Sequence, residues 1–239
     1  MPHELIIAGD NQQHLIHEYG DTYDIIAAIE TADKYGVEYV VDFAKSIQGQ
    51  TVLQTCKNLW EYVKNSIPYK ADKDGQQLIQ LPGQLYNNRY QHLGGTGAGG
   101  DCKSMSLFCS SVLRALGNYD FLYRFISETE SDNVHHVYLV VAYQNENGEP
   151  CYIPLDCTLD SFGVEATYAK KIDRLPSLPE PKPAVIKGIS GIGATTIAQD
   201  ESLIWQSGYE EFKRNYHSLA AECAKRCVYS IIDANKSRP

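Results

Sequence analysis

Three residues of this sequence, Cys102, His136 and Asp156, have the types and the order needed for nucleophilic chemistry by a thiol. A cysteine thiolate attacks a carbonyl carbon, a histidine moves the proton, and a carboxylate holds the imidazole through its second ring nitrogen. The cysteine follows a glycine-rich run, GGTGAGGDCKS at residues 94–104. Glycines leave the backbone beside the sulfur free of side chains, so a substrate could approach it.

A helix is predicted to begin at Cys102 and to carry the thiol in its first turn. Asp101 is a suitable N-cap, and apolar residues recur at helical spacing from Met105 to Leu116, before Gly117 ends the helix. The unpaired N–H groups and the dipole of a helix N-terminus favour a negative charge, and therefore a thiolate. A buried structural cysteine is the alternative interpretation, because free cysteine is often buried.

The glycine run resembles two phosphate-binding motifs without satisfying either. Residues 95–100 match the spacing GxGxxG, but the polar residues 87–92 before them do not form the buried strand that a dinucleotide site requires. A phosphate-binding P-loop is excluded because Asp101 and Cys102 separate the last glycine from the Lys-Ser pair.

Two strands joined by a tight turn are predicted to carry the other two residues. Residues 134–143 form an apolar strand pattern, NENGE at 145–149 is typical of a hairpin turn, and residues 151–157 return. His136 and Asp156 lie at similar distances from the turn, so a bulge or small register shift would make them neighbours. Each residue alone also fits a structural role, as a core histidine and a turn aspartate.

Composition limits the class of protein. With 239 residues, 43% of them hydrophobic, the chain can bury a sizeable core. The net charge of −9 argues against a nucleic-acid partner. No apolar run approaches the roughly 18 residues of a membrane span, and no signal peptide is recognised, so we expect a cytoplasmic protein. Seven cysteines without CxxC pairs indicate reduced thiols rather than a disulfide framework or a zinc ribbon, and we predict no metal and no cofactor.

The predicted fold class is α+β, with the nucleophile helix packed on an antiparallel sheet. We expect a mostly helical N-terminal extension at 1–50, a catalytic core at 51–175, a Pro/Gly-rich segment at 176–200 and a C-terminal helix at 201–239 that packs on the core. The Pro/Gly-rich segment contains branched apolar residues, so it is expected to pack back on the core. It would act there either as a lid near Cys102 or as a surface loop docked elsewhere.

Several motifs, in the right order, resemble those of the transglutaminase-like superfamily of papain-type cysteine enzymes. They are the nucleophile motif GGDCKSMS at 99–106, a His-x-aromatic strand at 136–138, a Leu-Asp-x-Thr strand at 154–158, a Trp-to-Tyr helix end at 60–69 and a Pro-containing lead-in at 80–82. The resemblance covers roughly residues 51–158, under half of the chain.

The resemblance implies a papain-like fold with a Cys-His-Asp triad and thiol chemistry on amides. Cys102 would attack a peptide or carboxamide carbonyl and form a thioester, His136 would act as general base and then general acid, and Asp156 would orient the imidazole. The backbone N–H of Cys102 is expected to form part of an oxyanion hole. Gln77 and Gln80 are both candidates for its second donor.

The sequence departs from the family at Lys103-Ser104, where many members carry acidic residues, and at Tyr138, where many carry tryptophan. Neither change removes a triad residue. The His-x-aromatic spacing selects His136 over His135, because adjacent strand residues face opposite ways.

With water as acceptor the chemistry is that of a protease or amidase acting on a protein or peptide. No calcium site is recognised, which favours hydrolysis over acyl transfer. The alternatives are a protein-glutamine acyltransferase, or a catalytically silent scaffold such as an assembly protein of a phage or mobile element. The oligomeric state is left open.

Overall fold

The computed structural model describes six stretches of the chain, residues 3–9, 12–33, 36–91, 94–117, 119–130 and 133–176. The Pro/Gly-rich segment expected at 176–200, as a lid or as a docked surface loop, and the C-terminal helix expected at 201–239 lie outside the described residues, apart from Pro176. Two compact units are present among the described residues, one formed by 3–143 with 153–176 and the other by the hairpin tip 144–152. All residues of the candidate site belong to the first unit.

Helices and strands are mixed along the chain, and the fold class is α+β. The elements are β1 His3–Gly9, β2 Gln12–Gly20, α1 Thr22–Ala32, a short 3-10 helix Val37–Tyr39, α2 Val41–Ile47, α3 Val52–Ser66, β3 Gln76–Gln80, α4 Pro82–Asn87, α5 Cys102–Leu116, β4 Phe121–Ser127, β5 His136–Gln144, β6 Pro150–Leu155 and β7 Lys170–Arg174.

Helix α5 lies in the centre of the core. It begins where the Asp101 side chain accepts a hydrogen bond from the Ser104 N–H, and it ends at Gly117, whose positive φ of 65° suits glycine. Every residue of the helix from Cys102 to Leu113 is buried. An interior helix of this kind holds its first turn in a defined position, because its side chains are packed on all sides.

An aromatic cluster packs α2, α3 and α4 against α5. The ring of Phe43 lies 4.4 Å from that of Tyr62 and 5.6 Å from that of Phe108, and the rings of Tyr86 and Phe108 are 6.3 Å apart. Aromatic pairs at these separations contribute more than their buried area alone. The cluster anchors α5 on the side formed by these three helices.

The main sheet is antiparallel, with strand order β6-β5-β4-β7. Strands β4 and β5 pair from Phe121 opposite Val141 to Ile126 opposite His136. Strand β4 is buried along its whole length, so β4 cannot shift by one residue against β5 without exposing apolar side chains. The register therefore fixes the position of His136 at the start of β5.

A second, smaller sheet has the order β2-β1-β3. Strand β1 pairs with β2 as an antiparallel hairpin and with β3 in parallel, with Leu5 opposite Gln77. The helices expected in the N-terminal extension are present as α1 and α2, but strand β2 is not predicted by its polar sequence. It forms because β1 offers it a pairing edge, an example of tertiary context outweighing local propensity.

A buried carboxylate joins α1 to α5 and β4. Asp33, which has no exposed surface, accepts hydrogen bonds from the Ser110 and Tyr123 hydroxyls and from the Arg114 guanidinium. Burial, followed by the charge of Asp33, raises the pKa of the Tyr123 phenol well above its ordinary value. These contacts hold the C-terminal end of α1 against the central helix.

Replacing Asp33 with alanine should lower the free energy of unfolding by about 3–5 kcal/mol, because the Arg114 charge would stay buried without its carboxylate. Urea denaturation measures the change. The control is Glu61→Ala, which breaks the exposed Lys57–Glu61 pair and should cost less than about 0.5 kcal/mol. Equal losses in the two variants would contradict this role of Asp33.

Candidate active site

Cys102 lies at the first position of α5, after a backbone that only glycine can form. Gly99 has a φ of 68°, and a Cβ at this position would lie 2.0 Å from the Pro68 carbonyl oxygen. Gly100 exchanges backbone hydrogen bonds with the strand-like segment beside it, accepting from Lys70 N–H at 2.9 Å and donating to the Pro68 carbonyl at 3.1 Å. The glycines thus allow a close backbone contact beside Cys102, which differs from the role in substrate access expected from the sequence.

His136 joins the other two predicted triad residues. Its Nε2 lies 2.6 Å from Asp156 Oδ2, and Cys102 is near enough to the imidazole to raise its pKa. Since Nε2 is used by the carboxylate, Nδ1 is the ring nitrogen left for another partner. The neighbouring His135 is exposed and donates its backbone N–H to the Ile126 carbonyl at 3.0 Å.

Asp156 follows directly after β6 and is 2% exposed. Its Oδ1 accepts hydrogen bonds from the Thr158 N–H at 2.9 Å and the Thr158 hydroxyl at 2.7 Å, which leaves Oδ2 for His136. The Trp60 indole of α3 donates to the Asp156 backbone carbonyl at 3.0 Å. Hydrogen bonds to both its side chain and its backbone therefore hold Asp156 in place.

The site stabilises a protonated imidazole. Burial by itself lowers the pKa of His136, but the hydrogen bond to Asp156 and the nearby Cys102 outweigh it and raise the pKa from 6.5 to about 10. Burial would raise the pKa of Asp156, but its bonds to His136 and Thr158 outweigh this effect and lower it below the ordinary value. An imidazolium held between a carboxylate and a sulfur is thus the favoured charge state at neutral pH.

The two glutamines considered for the oxyanion hole occupy different environments. The Gln80 amide donates to the Gly99 carbonyl at 2.7 Å and accepts from Asn88 at 2.8 Å, so it fastens the glycine run. Gln77 instead lines the same cavity as Cys102. The two residues were indistinguishable in the sequence because their surroundings come from distant segments.

A buried lysine next to Cys102, Lys103, was not predicted to take part in the site. The Lys103 ammonium donates to Asp72 Oδ2 at 3.0 Å and to Asp101 Oδ2, and its side chain is 9% exposed. Burial lowers the pKa of Lys103, but the negative charges of Asp101, Cys102 and Asp72 outweigh this and raise it above the ordinary value. The sequence signal for this role is the position of Lys103, directly after the N-cap Asp101 and Cys102. Nothing in the neighbouring sequence identifies Asp72 as the second partner of the lysine.

This lysine connects the first turn of α5 to the segment before β3. Asp72 Oδ2 also accepts from the Leu78 N–H at 2.8 Å, and the Gln80 N–H donates to the Ser104 hydroxyl at 3.1 Å. These contacts tie the cysteine turn to the strand that carries Gln77.

Cys102 opens into a cavity of about 530 Å³, within the range of small-molecule and peptide sites. Its lining includes His136, Gln77 and Lys103 from the site itself, together with residues 20–22 and two isoleucines of α1. In the part of the chain that the structure describes, no group of three or more acidic, histidine or cysteine side chains is arranged to hold a metal. None of the described helices is both long and apolar enough to cross a membrane.

Comparisons with known proteins reveal little similarity. No family model matches the chain, and no curated protein matches it. Among solved structures, the chain is similar to the crystal structure of a putative protease from Parabacteroides distasonis ATCC 8503, at 14% identity and a TM-score of 0.37. The match covers 67% of this chain and 34% of that one, so the chain spans about a third of its length. The function proposed below rests on the geometry of the site.

Replacing Lys103 with methionine should destabilise the fold by about 3–5 kcal/mol, because Asp72 and Asp101 would face each other without the ammonium. The loss should shrink as the pH falls and one carboxylate takes up a proton, which urea denaturation at pH 7 and pH 4.5 measures. Lys57→Met, at a half-exposed position, is the control and should be nearly neutral at both values. A loss independent of pH would contradict the electrostatic origin.

Proposed function

We propose that this protein is a cysteine hydrolase of transglutaminase-like, papain-type architecture that cleaves a peptide or carboxamide bond through a thioester. The observation that supports it most directly is the arrangement around His136, whose Nε2 lies 2.6 Å from a buried carboxylate oxygen of Asp156. His136 lines the same cavity as Cys102, which lies at the N-terminus of a buried helix.

In this proposal the Cys102 thiolate attacks the carbonyl carbon and forms a carbon–sulfur bond, while the carbonyl oxygen becomes an oxyanion. The intermediate collapses when His136 gives its proton to the departing amine, which breaks the carbon–nitrogen bond and leaves a thioester. His136, now neutral, removes a proton from water, which attacks the thioester. The acid product leaves, and the thiolate–imidazolium pair is restored.

The oxyanion is stabilised by two donors in this proposal. The Cys102 N–H is one of the backbone donors that a helix leaves without an intrahelical partner, and it lies where the helix dipole favours negative charge. The Gln77 side chain, in the wall of the same cavity, supplies the second donor. Gln80 is assigned instead to positioning the glycine run, through its bond to Gly99.

The charge state of the site supports thiol chemistry without a separate deprotonation step. The Asp156 carboxylate raises the pKa of His136, and a protonated histidine beside a sulfur favours the thiolate. A catalytically silent scaffold would need the same fold, but it would not need a protonated histidine beside the Cys102 sulfur. Acyl transfer would use the same thioester with an amine in place of water, so product analysis separates it from hydrolysis.

Alkylation of Cys102 by iodoacetamide should vary by less than about threefold between pH 6 and pH 9, because the imidazolium persists across that range. At pH values below its pKa of roughly 8.5, an ordinary thiol reacts about tenfold faster for each unit by which the pH is raised. Peptide mass spectrometry resolves the cysteines, and the partly exposed Cys151 is the internal reference. His136→Ala should restore the ordinary pH dependence. A Cys102 rate that follows that of Cys151 would refute the activated thiol.

Replacing Asp156 with asparagine should lower turnover of a thioester-forming substrate such as a p-nitrophenyl ester by about 100-fold or more. An amide cannot stabilise the imidazolium, although it is nearly isosteric and should preserve the bond from Trp60, which uses the backbone carbonyl. Burst and steady-state kinetics measure the loss. Asp160→Asn is the matched control, since that side chain is fully exposed; equal activity in both variants would demote Asp156 to a structural residue.

A further inference from the structure

We propose that Tyr138 and Glu165 are positioning residues for His136, whose imidazole they keep turned toward Asp156. This inference rests on the proposed function and adds to it the residues that orient its general acid and base. The observation behind it is that one segment, residues 156–165, bonds two side chains of β5. Asp156 Oδ2 lies 2.6 Å from His136 Nε2. Further along the same segment, Glu165 Oε1 accepts a hydrogen bond from the Tyr138 hydroxyl at 2.8 Å.

The two bonded side chains of β5 lie together on one side of the strand. Residues two apart on a strand point the same way, and the ring centroids of His136 and Tyr138 are 5.7 Å apart, with their planes at 33°. This separation is within the range of aromatic pairs in contact. Tyr138 is fully buried, so its close-packed ring has no room to move aside. It therefore limits the directions in which the imidazole can turn.

The Tyr138 ring is held at its far end by its hydroxyl. Burial, followed by the charge of Glu165, raises the pKa of Tyr138 above its ordinary value, so the phenol keeps its proton and stays a donor at neutral pH. Turning the ring would break a buried hydrogen bond, which is unfavourable because the hydroxyl would gain no bond to water in exchange. Tyr138 stands where many members of the resembling family carry tryptophan, so a hydroxyl at this point is a departure from that pattern.

A buried cation holds Glu165 in turn. Arg124 lies opposite Tyr138 in the β4–β5 register, its side chain is 4% exposed, and its Nη1 donates to the same Glu165 Oε1 at 2.6 Å. Its Nε and Nη2 donate to the two carboxylate oxygens of Asp173 in β7, at 2.8 and 2.9 Å. The guanidinium therefore binds one carboxylate that reaches the phenol and another that belongs to β7.

The start of β5 is held by the 156–165 segment and by α5. The segment is itself fixed on α3, because the Trp60 indole donates to the Asp156 backbone carbonyl at 3.0 Å. Between the two bonded positions of β5, the Val137 carbonyl accepts a hydrogen bond from the Ser106 hydroxyl of α5 at 3.0 Å. The strand backbone is thus fixed to α5, while the segment fixes the side chains on either side of Val137.

The test follows the His136 ring itself, in the full-length chain labelled with 15N-histidine. NMR spectra that correlate ring protons with ring nitrogens report protonation from pH 6 to pH 10, and the His136 signals are identified by their loss in His136→Gln. Tyr138→Phe and Glu165→Ala should each lower the pH of half-titration by about one unit or more, because a less ordered imidazole is bonded to the carboxylate for less of the time. The kcat for a p-nitrophenyl ester should fall by about tenfold in both variants, with KM nearly unchanged.

Two further variants separate positioning from charge and from stability. Glu165→Gln keeps an acceptor oxygen for the hydroxyl and the guanidinium but removes the charge, so His136 should titrate within about 0.3 pH unit of the unaltered protein. Asp173→Ala is the matched control, since it takes a carboxylate of similar exposure, 25% against 22%, from the same Arg124. It should lower stability to urea and leave the titration of His136 in place.

The outcomes separate this inference from the proposed function. If iodoacetamide labels Cys102 no faster than Cys151 at neutral pH, the proposed function fails, and the NMR titration still decides whether His136 is positioned in this way. If Cys102 is activated but Tyr138→Phe and Glu165→Ala titrate like the unaltered protein, the function survives and the positioning role is refuted. A change in Glu165→Gln or in Asp173→Ala as large as that in Glu165→Ala would also refute it, since lost charge or general loosening would then explain the effect.

Discussion

The hydrogen bond between His136 and Asp156, 2.6 Å long, is the contact on which the rest of the site depends. This bond forms only if the end of β6 lies next to the start of β5. It occupies Nε2 of the imidazole, so that only Nδ1 is left to interact with the sulfur. Trp60 and Thr158 hold the carboxylate, and the register of β4 holds the histidine. The main sheet and α3 therefore serve one geometric requirement, an imidazole of fixed orientation beside the first turn of α5.

The second constraint is electrostatic, because several charges are gathered in a buried region. Two carboxylates, an ammonium and the sulfur surround the N-terminus of α5, and each charged group is stable there only while its partners remain. Lys103 is central to this balance, since it bonds both Asp72 and Asp101. These charges, together with apolar packing, hold α5, the glycine run and β3 together. The interactions that stabilise the fold here are therefore also the ones that position the candidate site.

Local patterns predicted the helix and the strands that carry the candidate site residues. The N-cap aspartate and helical spacing after Cys102, and the hairpin turn between the strands of His136 and Asp156, are signals contained in short stretches of sequence. Other features escaped prediction because they need partners far along the chain. Strand β2 forms on an edge provided by β1, and the two oxyanion candidates differ only through contacts that Gly99 and the cavity provide.

The sequence by itself determined the α+β class and the central helix, and it contains the three residues for which a catalytic role is proposed. Tertiary structure alone decided that Trp60 would hold Asp156 across 96 positions of the chain, that Lys103 would be buried between two carboxylates, and that α1 would form a wall of the cavity. The physical reason is range. Caps, turns and periodicity are interactions between near neighbours, whereas a buried charge pair or a cavity wall exists only after distant segments have packed together.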